Sequence, residues 1–231
     1  MVLIRSVIFL LLWFIWTAVL GIVASPSLIL KKGHPIIISV TRIWALFTLF
    51  LLRVICRISH EVIGIENLPG KPCLVASKHQ SAWETIFFLC LFKNPVLVTK
   101  KELTKIPIYG WYLYKSSMIA IDRNGGMRTM KTMMKAAKDS ISIGCTVMIF
   151  PEGTRTSPGK RVKYKSGIKF LSDHLGIKVL PIALNSGKYW INKSIIRKPG
   201  VIRVKILPRI KNDENFLKNL QELIDRESDA L

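Results

Sequence analysis

The chain has 231 residues, enough for one catalytic domain of ordinary size and a short appendage. Half of its residues are hydrophobic and the mean hydropathy is +0.34, with the apolar excess concentrated in the first 56 residues. A formal net charge of +21 says nothing about fold but narrows the partners to nucleic acid, an anionic lipid surface or a phosphorylated substrate. The four cysteines (Cys56, Cys73, Cys90 and Cys145) form no CxxC pair and lie near no histidine at metal-ligand spacing, so they read as small buried hydrophobes in a reducing compartment.

Residues Val7 to Leu30 carry no charge, with Arg5 before them and Lys31 and Lys32 after. At about 1.5 Å per residue such a helix is long enough for a hydrocarbon core of roughly 30 Å. A cleaved signal peptide fits poorly, because a cut after Ala24 would put the bulky Ile22 where a small residue is needed. A second apolar run, Pro35 to Cys56, is interrupted by Arg42 and Arg53 and reads as a helix lying in the membrane interface. Basic residues flank both runs, so charge bias alone does not choose an inside face. Two arrangements stay open: a spanning first helix with an interfacial second, or a hairpin in the cytoplasmic leaflet. Attachment without a full crossing is preferred.

Around Val62 the pattern changes to short apolar runs alternating with helical stretches. Strands are expected at Cys73–Ser77, Pro95–Thr99, Met118–Ile121, Thr146–Phe150, Ile177–Leu184 and Val201–Leu207. Helices are expected at Ala82–Leu91, Lys105–Tyr114, Met127–Ser140 and Glu214–Glu227. This alternation predicts an α/β domain with a mixed, mainly parallel sheet flanked by helices, preceded by two N-terminal hydrophobic helices. The boundary is placed at residue 57, with an anchor over 1–57 and the α/β domain over 58–231.

The first block with chemical content is Ser77-Lys78-His79-Gln80-Ser81-Ala82-Trp83-Glu84-Thr85. It follows a strand and opens a helix, with Ser81 as candidate N-cap. Residues five apart on one helix diverge by about 140°, but a loop-to-helix break can bring His79 and Glu84 together. A carboxylate on one ring nitrogen fixes the tautomer, leaving the other to take a proton from a hydroxyl. Against this, Ser81-x-x-Glu84 is itself a capping-box pattern, which would commit Glu84 to the backbone.

The second block is Phe150-Pro151-Glu152-Gly153-Thr154-Arg155-Thr156, an apolar strand running into a glycine turn. Its charged residues fall at the carboxyl end of a strand, where open α/β sheets place ligands, and a guanidinium there can grip a phosphate. A surface turn with a local Glu–Arg pair is the bland alternative. Lys100-Lys101-Glu102-Leu103 and Ile121-Asp122-Arg123 also follow strands and could reach the same edge, or be solvated strand ends. Val179–Ala183 by itself is only a buried strand. His34, His60 and His174 read as structural.

Together, and in this order, these blocks resemble the glycerolipid acyltransferase family, most closely the bacterial 1-acylglycerol-3-phosphate acyltransferases, from about Asn67 to Asn185. His79-Gln-Ser-Ala-Trp-Glu84 matches the family's His-x4-Asp motif with glutamate in place of aspartate. Lys100, the Ile121-Asp122-Arg123 run, Phe150–Arg155 and Val179–Ala183 match the segments that follow. Related lipid acyltransferases, including those acting on lipid A, also carry His-x4-Glu but generally lack the Glu-Gly-Thr-Arg segment.

The resemblance implies a glycerol-3-phosphate acyltransferase-like fold and acyl transfer to the sn-2 hydroxyl of lysophosphatidic acid, giving phosphatidic acid, with another lysophospholipid or a lyso-ornithine lipid as the alternative acceptor. His79 would be the general base and Glu84 would orient it. Lys100, Arg123 and Arg155 would hold the acceptor phosphate, in a pocket shaped by Glu152, Gly153 and Thr154. The acyl group would come from acyl-CoA or acyl carrier protein. A thiol leaves readily, so neither a metal nor another cofactor is expected. The expected setting is the cytoplasmic face of the inner membrane, against an anionic lipid surface. Nucleic acid is not expected as a partner, because Trp13, Trp16 and Trp44 lie in the anchor and leave the basic domain without a stacking platform.

Overall fold

A computed structural model describes residues 1–122 and 125–231. Seven strands form one sheet: β1 (Ile58–Ile63), β2 (Leu74–Ser77), β3 (Pro95–Lys100), β4 (Ile119–Ile121), β5 (Thr146–Ile149), β6 (Val179–Leu184) and β7 (Gly200–Ile206). Their spatial order is β1-β7-β6-β2-β5-β3-β4. The five strands from β6 to β4 run parallel, as expected of strands joined by helices. β7 is antiparallel to β6 and parallel to β1, so that edge runs the other way and the sheet is mixed.

The central strands are buried on both faces, and their residues alternate between two cores. Val75, Met148, Leu180 and Leu97 point to one face; Leu74, Val147, Val179 and Val96 point to the other. The helices α5 (Gly126–Ser142), α6 (Gly167–Leu175) and α7 (Phe216–Asp229) cover the second face. The first face is covered by α3 (Trp83–Leu91) and by the two N-terminal helices, α1 (Val2–Val23) and α2 (Pro35–Ile55).

Several boundaries differ from the sequence reading for local reasons. α1 takes Arg5 into the helix and ends at Val23; a 3-10 turn over Ser25–Ile29 follows, containing Pro26, which has no N–H to continue a helix. The expected helix over Lys105–Tyr114 is a 3-10 turn at Lys101–Lys105 followed by α4 (Tyr109–Lys115), because Pro107 interrupts it and Ile108 sits at φ +63°. β1 and α6 were not anticipated: β1 is a half-exposed edge strand with one partner, and α6 is only nine residues long.

α1 and α2 pair with each other and lie along the domain. The Trp16 indole N–H donates to Trp44 O at 3.3 Å, and the Trp44 indole donates to Thr17 Oγ1 at 3.0 Å. Near the start of α1 the Arg197 N–H donates to Ser6 Oγ at 2.8 Å, and Phe9 packs edge-on to Trp190; near its end the Tyr112 hydroxyl donates to Gly21 O at 3.2 Å. Arg42, which breaks the apolar run of α2, donates to Cys90 O in the last turn of α3 at 3.0 Å, where a cation complements the helix dipole. The outward faces are apolar and exposed, Leu11, Phe14 and Ile15 on α1 and Ile43, Leu46 and Phe50 on α2. The four cysteines are free, with Cys56 and Cys73 fully buried.

Candidate active site

β2, β5 and β3 are adjacent and parallel, so the loops leaving their carboxyl ends emerge side by side. These loops carry His79 after β2, Phe150–Thr156 after β5 and Lys100 at the end of β3. The sheet thereby gathers three segments that lie far apart in sequence at the edge where α/β sheets bind ligands.

His79 and Glu84 meet. Nδ1 of the imidazole is 2.9 Å from Glu84 Oε1, with His79 7 % exposed and Glu84 fully buried. α3 starts at Trp83, so Glu84 lies in its first turn and His79 in the bend that precedes it. The backbone half of the capping pattern is present as well, although the N-cap of α3 is Ala82 and not Ser81: Gln80 N and Ser81 N donate to Glu84 Oε1 at 2.7 and 2.8 Å, and Trp83 N donates to Ser81 Oγ at 3.0 Å. Glu84 therefore serves the backbone and the imidazole together, using the several lone pairs of an ionised carboxylate. Its outer oxygen, Oε2, accepts from the hydroxyls of Ser81 and Ser186, each at 2.7 Å. Burial alone would push the carboxyl up; hydrogen bonds from His79, Ser186 and Ser81 outweigh it and hold Glu84 below the usual carboxylate range. Backbone N–H groups can only donate, so Oε1 is an acceptor and Nδ1 carries a ring proton, and in the neutral ring the free lone pair is then on Nε2. Phe150 stacks on the imidazole with centroids 4.0 Å apart and planes 20° apart, which fixes the plane of the ring.

The His79 ring lines a cleft that runs between α1, α2, α3 and β3 and, with its open mouth included, encloses about 1020 Å³. Its walls are mostly apolar, among them Leu20, Trp44, Leu89, Leu97, Tyr109 and Met118. Arg155 and Lys100 line the same cleft, and Arg155 is close enough to Tyr109 to oppose the rise that burial imposes on that phenol. The Thr99 hydroxyl, also on the wall, has no hydrogen-bond partner among the described residues.

The remaining expected residues are placed differently. Glu152 is 3 % exposed and faces inward: Oε2 accepts the His79 N–H at 2.7 Å, while Oε1 lies 2.8 Å from Lys78 Nζ and accepts from Thr156 Oγ1 at 2.7 Å. Gly153 turns the chain at φ +67°, where a Cβ would meet the Lys165 side chain at 2.8 Å. Thr154 is exposed and off the cleft wall; it is Thr156 that is built in, donating its N–H to His79 O at 2.8 Å. Arg123 lies outside the described residues.

Lys78, Thr156, Ser186 and Asp225 complete the site; the first two lie inside the motif blocks with no role assigned from sequence, and the last two lie outside them. Ser186 follows β6 and Asp225 lies on α7, so no local spacing links them to His79. His34 caps α2 by accepting from Ile36 N, His60 packs on Phe87, and His174 contacts Phe170 O.

Comparison with known proteins agrees with the resemblance read from the motifs. The family model described as Acyltransferase matches residues 59–185. A 1-acyl-sn-glycerol-3-phosphate acyltransferase of Pseudomonas aeruginosa is 37% identical over 227 residues, 96% of this chain and 87% of that protein. One of Helicobacter pylori is 30% identical, covering 72% of each. Among solved structures, the 1-acyl-sn-glycerophosphate acyltransferase of Thermotoga maritima shares the fold, with a TM-score of 0.79 over 100% of this chain and 97% of that one at 22% identity. The histidine–carboxylate pair, the apolar cleft that holds Arg155 and Lys100, and these similarities lead to one conclusion: the chain belongs to the acyltransferase family.

Proposed function

We propose that the protein transfers an acyl group from a thioester donor, acyl-CoA or acyl carrier protein, to the sn-2 hydroxyl of 1-acylglycerol 3-phosphate, giving phosphatidic acid. The observation that carries this is the His79 Nδ1–Glu84 Oε1 contact of 2.9 Å on the wall of an apolar cleft that also holds Arg155 and Lys100. The names of the relatives from Pseudomonas and Helicobacter support the acceptor.

In this mechanism the acceptor phosphate pairs with Arg155 and Lys100, and its acyl tail lies along the apolar wall. Nε2 of His79 takes the proton of the sn-2 hydroxyl as its oxygen attacks the thioester carbonyl. Glu84 stabilises the resulting imidazolium without taking its proton. The tetrahedral intermediate collapses with cleavage of the C–S bond, and the imidazolium returns its proton to the leaving thiolate. The products are the ester and the free thiol.

The protein works from one side of the membrane, with α1 and α2 lying in the interface. Contacts from Ser6 to Gly21 tie α1 to the domain over about 22 Å, at roughly 1.5 Å per residue. A helix held at both ends by the α/β domain is poorly placed to cross a bilayer, whereas its exposed apolar face suits the acyl boundary. Arg5, Arg53 and Arg57 lie at one end of the hairpin and Lys31 and Lys32 at the other, where anionic headgroups would meet them.

The test is thiol release from acyl-CoA by the purified protein in detergent, across a panel of lysolipids, with products identified by mass. The reading predicts phosphatidic acid from lysophosphatidate as the preferred reaction, and a raised KM for lysophosphatidate in Arg155→Ala. Preference for an acceptor without phosphate would overturn it.

A further inference from the structure

Behind the cleft lies a chain of buried charges that takes no part in the chemistry above. Lys78, 3 % exposed and adjacent to His79, has its ammonium 2.8 Å from Glu152 Oε1 and 2.6 Å from Asp225 Oδ1. Asp225 reaches it from α7, 147 residues along the chain. Burial would pull the ammonium down, but the two carboxylates outweigh it and hold Lys78 above the ordinary lysine value. Glu152 passes the connection to His79, since its other oxygen accepts the His79 N–H at 2.7 Å. Thr156 closes the loop: its hydroxyl donates to Glu152 Oε1, and its N–H donates to His79 O at 2.8 Å. The N–H and the C=O of His79 are therefore both held by the loop that follows β5. Both Glu152 oxygens are occupied by protein donors, and the residue does not line the cleft.

We propose that Glu152, oriented by Lys78 and Asp225, is a positioning residue that fixes the His79 backbone against the cleft and is not a ligand for the acceptor phosphate. The C-terminal helix α7 is thereby coupled to turnover. This rests on the reading of His79 as general base. A carboxylate facing a phosphate would repel it, whereas one buried against Lys78 and the His79 N–H is held in place from two sides. The imidazole needs such a hold, because displacement of a reacting group by about 1 Å costs on the order of 10²-fold in rate.

Glu152→Gln is the informative variant. It keeps the size of the side chain but turns an N–H₂ toward at least one of the donors that Glu152 now accepts from. It is expected to lower kcat about 10- to 100-fold. KM for lysophosphatidate should stay within about twofold of wild type, the signature of a group that does not bind the acceptor. Asp225→Asn, which leaves an amide oxygen for Lys78, should lower kcat less. In a His79→Ala background Glu152→Gln should cost nothing further, because it acts only through His79. If Glu152→Gln does not accumulate as folded protein, Thr156→Val removes one donor from the same carboxylate and should show the same split on a smaller scale. A raised KM with unchanged kcat, or a full additional loss in the His79→Ala background, would overturn the proposal. Wild-type rates in His79→Ala would instead sink the general-base reading, and this proposal with it. An inactive His79→Ala beside a fully active Glu152→Gln would sink the positioning role alone.

Discussion

Glu84 has one methylene more than the aspartate usual at its position in the resembling motif, and its surroundings account for the extra reach. The inner oxygen meets His79 and two backbone N–H groups, while the outer one meets the hydroxyls of Ser81 and Ser186. This bears on stability as well as chemistry. A carboxyl held below its unfolded value contributes stability that is present above that value, about 4.5, and is lost as pH falls through the lower folded value. Denaturant unfolding at neutral pH and near pH 3 should therefore show a smaller acid-induced loss for Glu84→Gln than for wild type. The glutamine can still accept at its inner position, with the two serine hydroxyls rotating to accept from its N–H₂. An equal loss in both proteins would contradict an ionised Glu84. The same residue explains what was legible at this scale. His79 and Glu84 are five apart, and local spacing announces them. Ser186, 102 residues from Glu84, becomes its neighbour only because β6 lies beside β2, and a sequence pattern does not encode strand neighbours.

The α1–α2 hairpin is the element whose composition promised most and specified least. Its apolar length fits a span or an interfacial helix equally, and the contact of α1 with Arg197, Trp190 and Tyr112 is invisible in the hairpin's own sequence. Those contacts favour attachment from one side. Single cysteines at Val2 and Lys32, placed in a background with the native cysteines replaced, should both react with an impermeant thiol reagent from the face that carries the domain, and neither from the other. Labelling from opposite faces would mean that α1 crosses. The other elements were legible where a short continuous apolar run or a helical period was strong, as in β5 and α5. They blurred where one residue overrode it: Pro107 displaced the start of α4, and β1, paired only with β7, gave too little alternation to register.

For the whole molecule, the sheet order is what makes a site from scattered motifs. With β2, β5 and β3 side by side, His79, Arg155 and Lys100 face one cleft, while the motif carboxylate Glu152 turns inward to the ion chain from α7. The motifs named most of the participants but not their orientations, because a motif records spacing along the chain and orientation is set by elements that pack from elsewhere. The apolar cleft, assembled from two anchor helices, α3 and β3, is likewise a property of packing. Everything chemical in this account depends on His79 accepting the proton of the acceptor hydroxyl. The most direct test is the rate of thiol release from acyl-CoA with lysophosphatidate by purified His79→Ala, with folding checked by its unfolding transition. A loss of at least about 10²-fold relative to wild type is expected if His79 is the general base. A folded variant that releases thiol at the wild-type rate would contradict it.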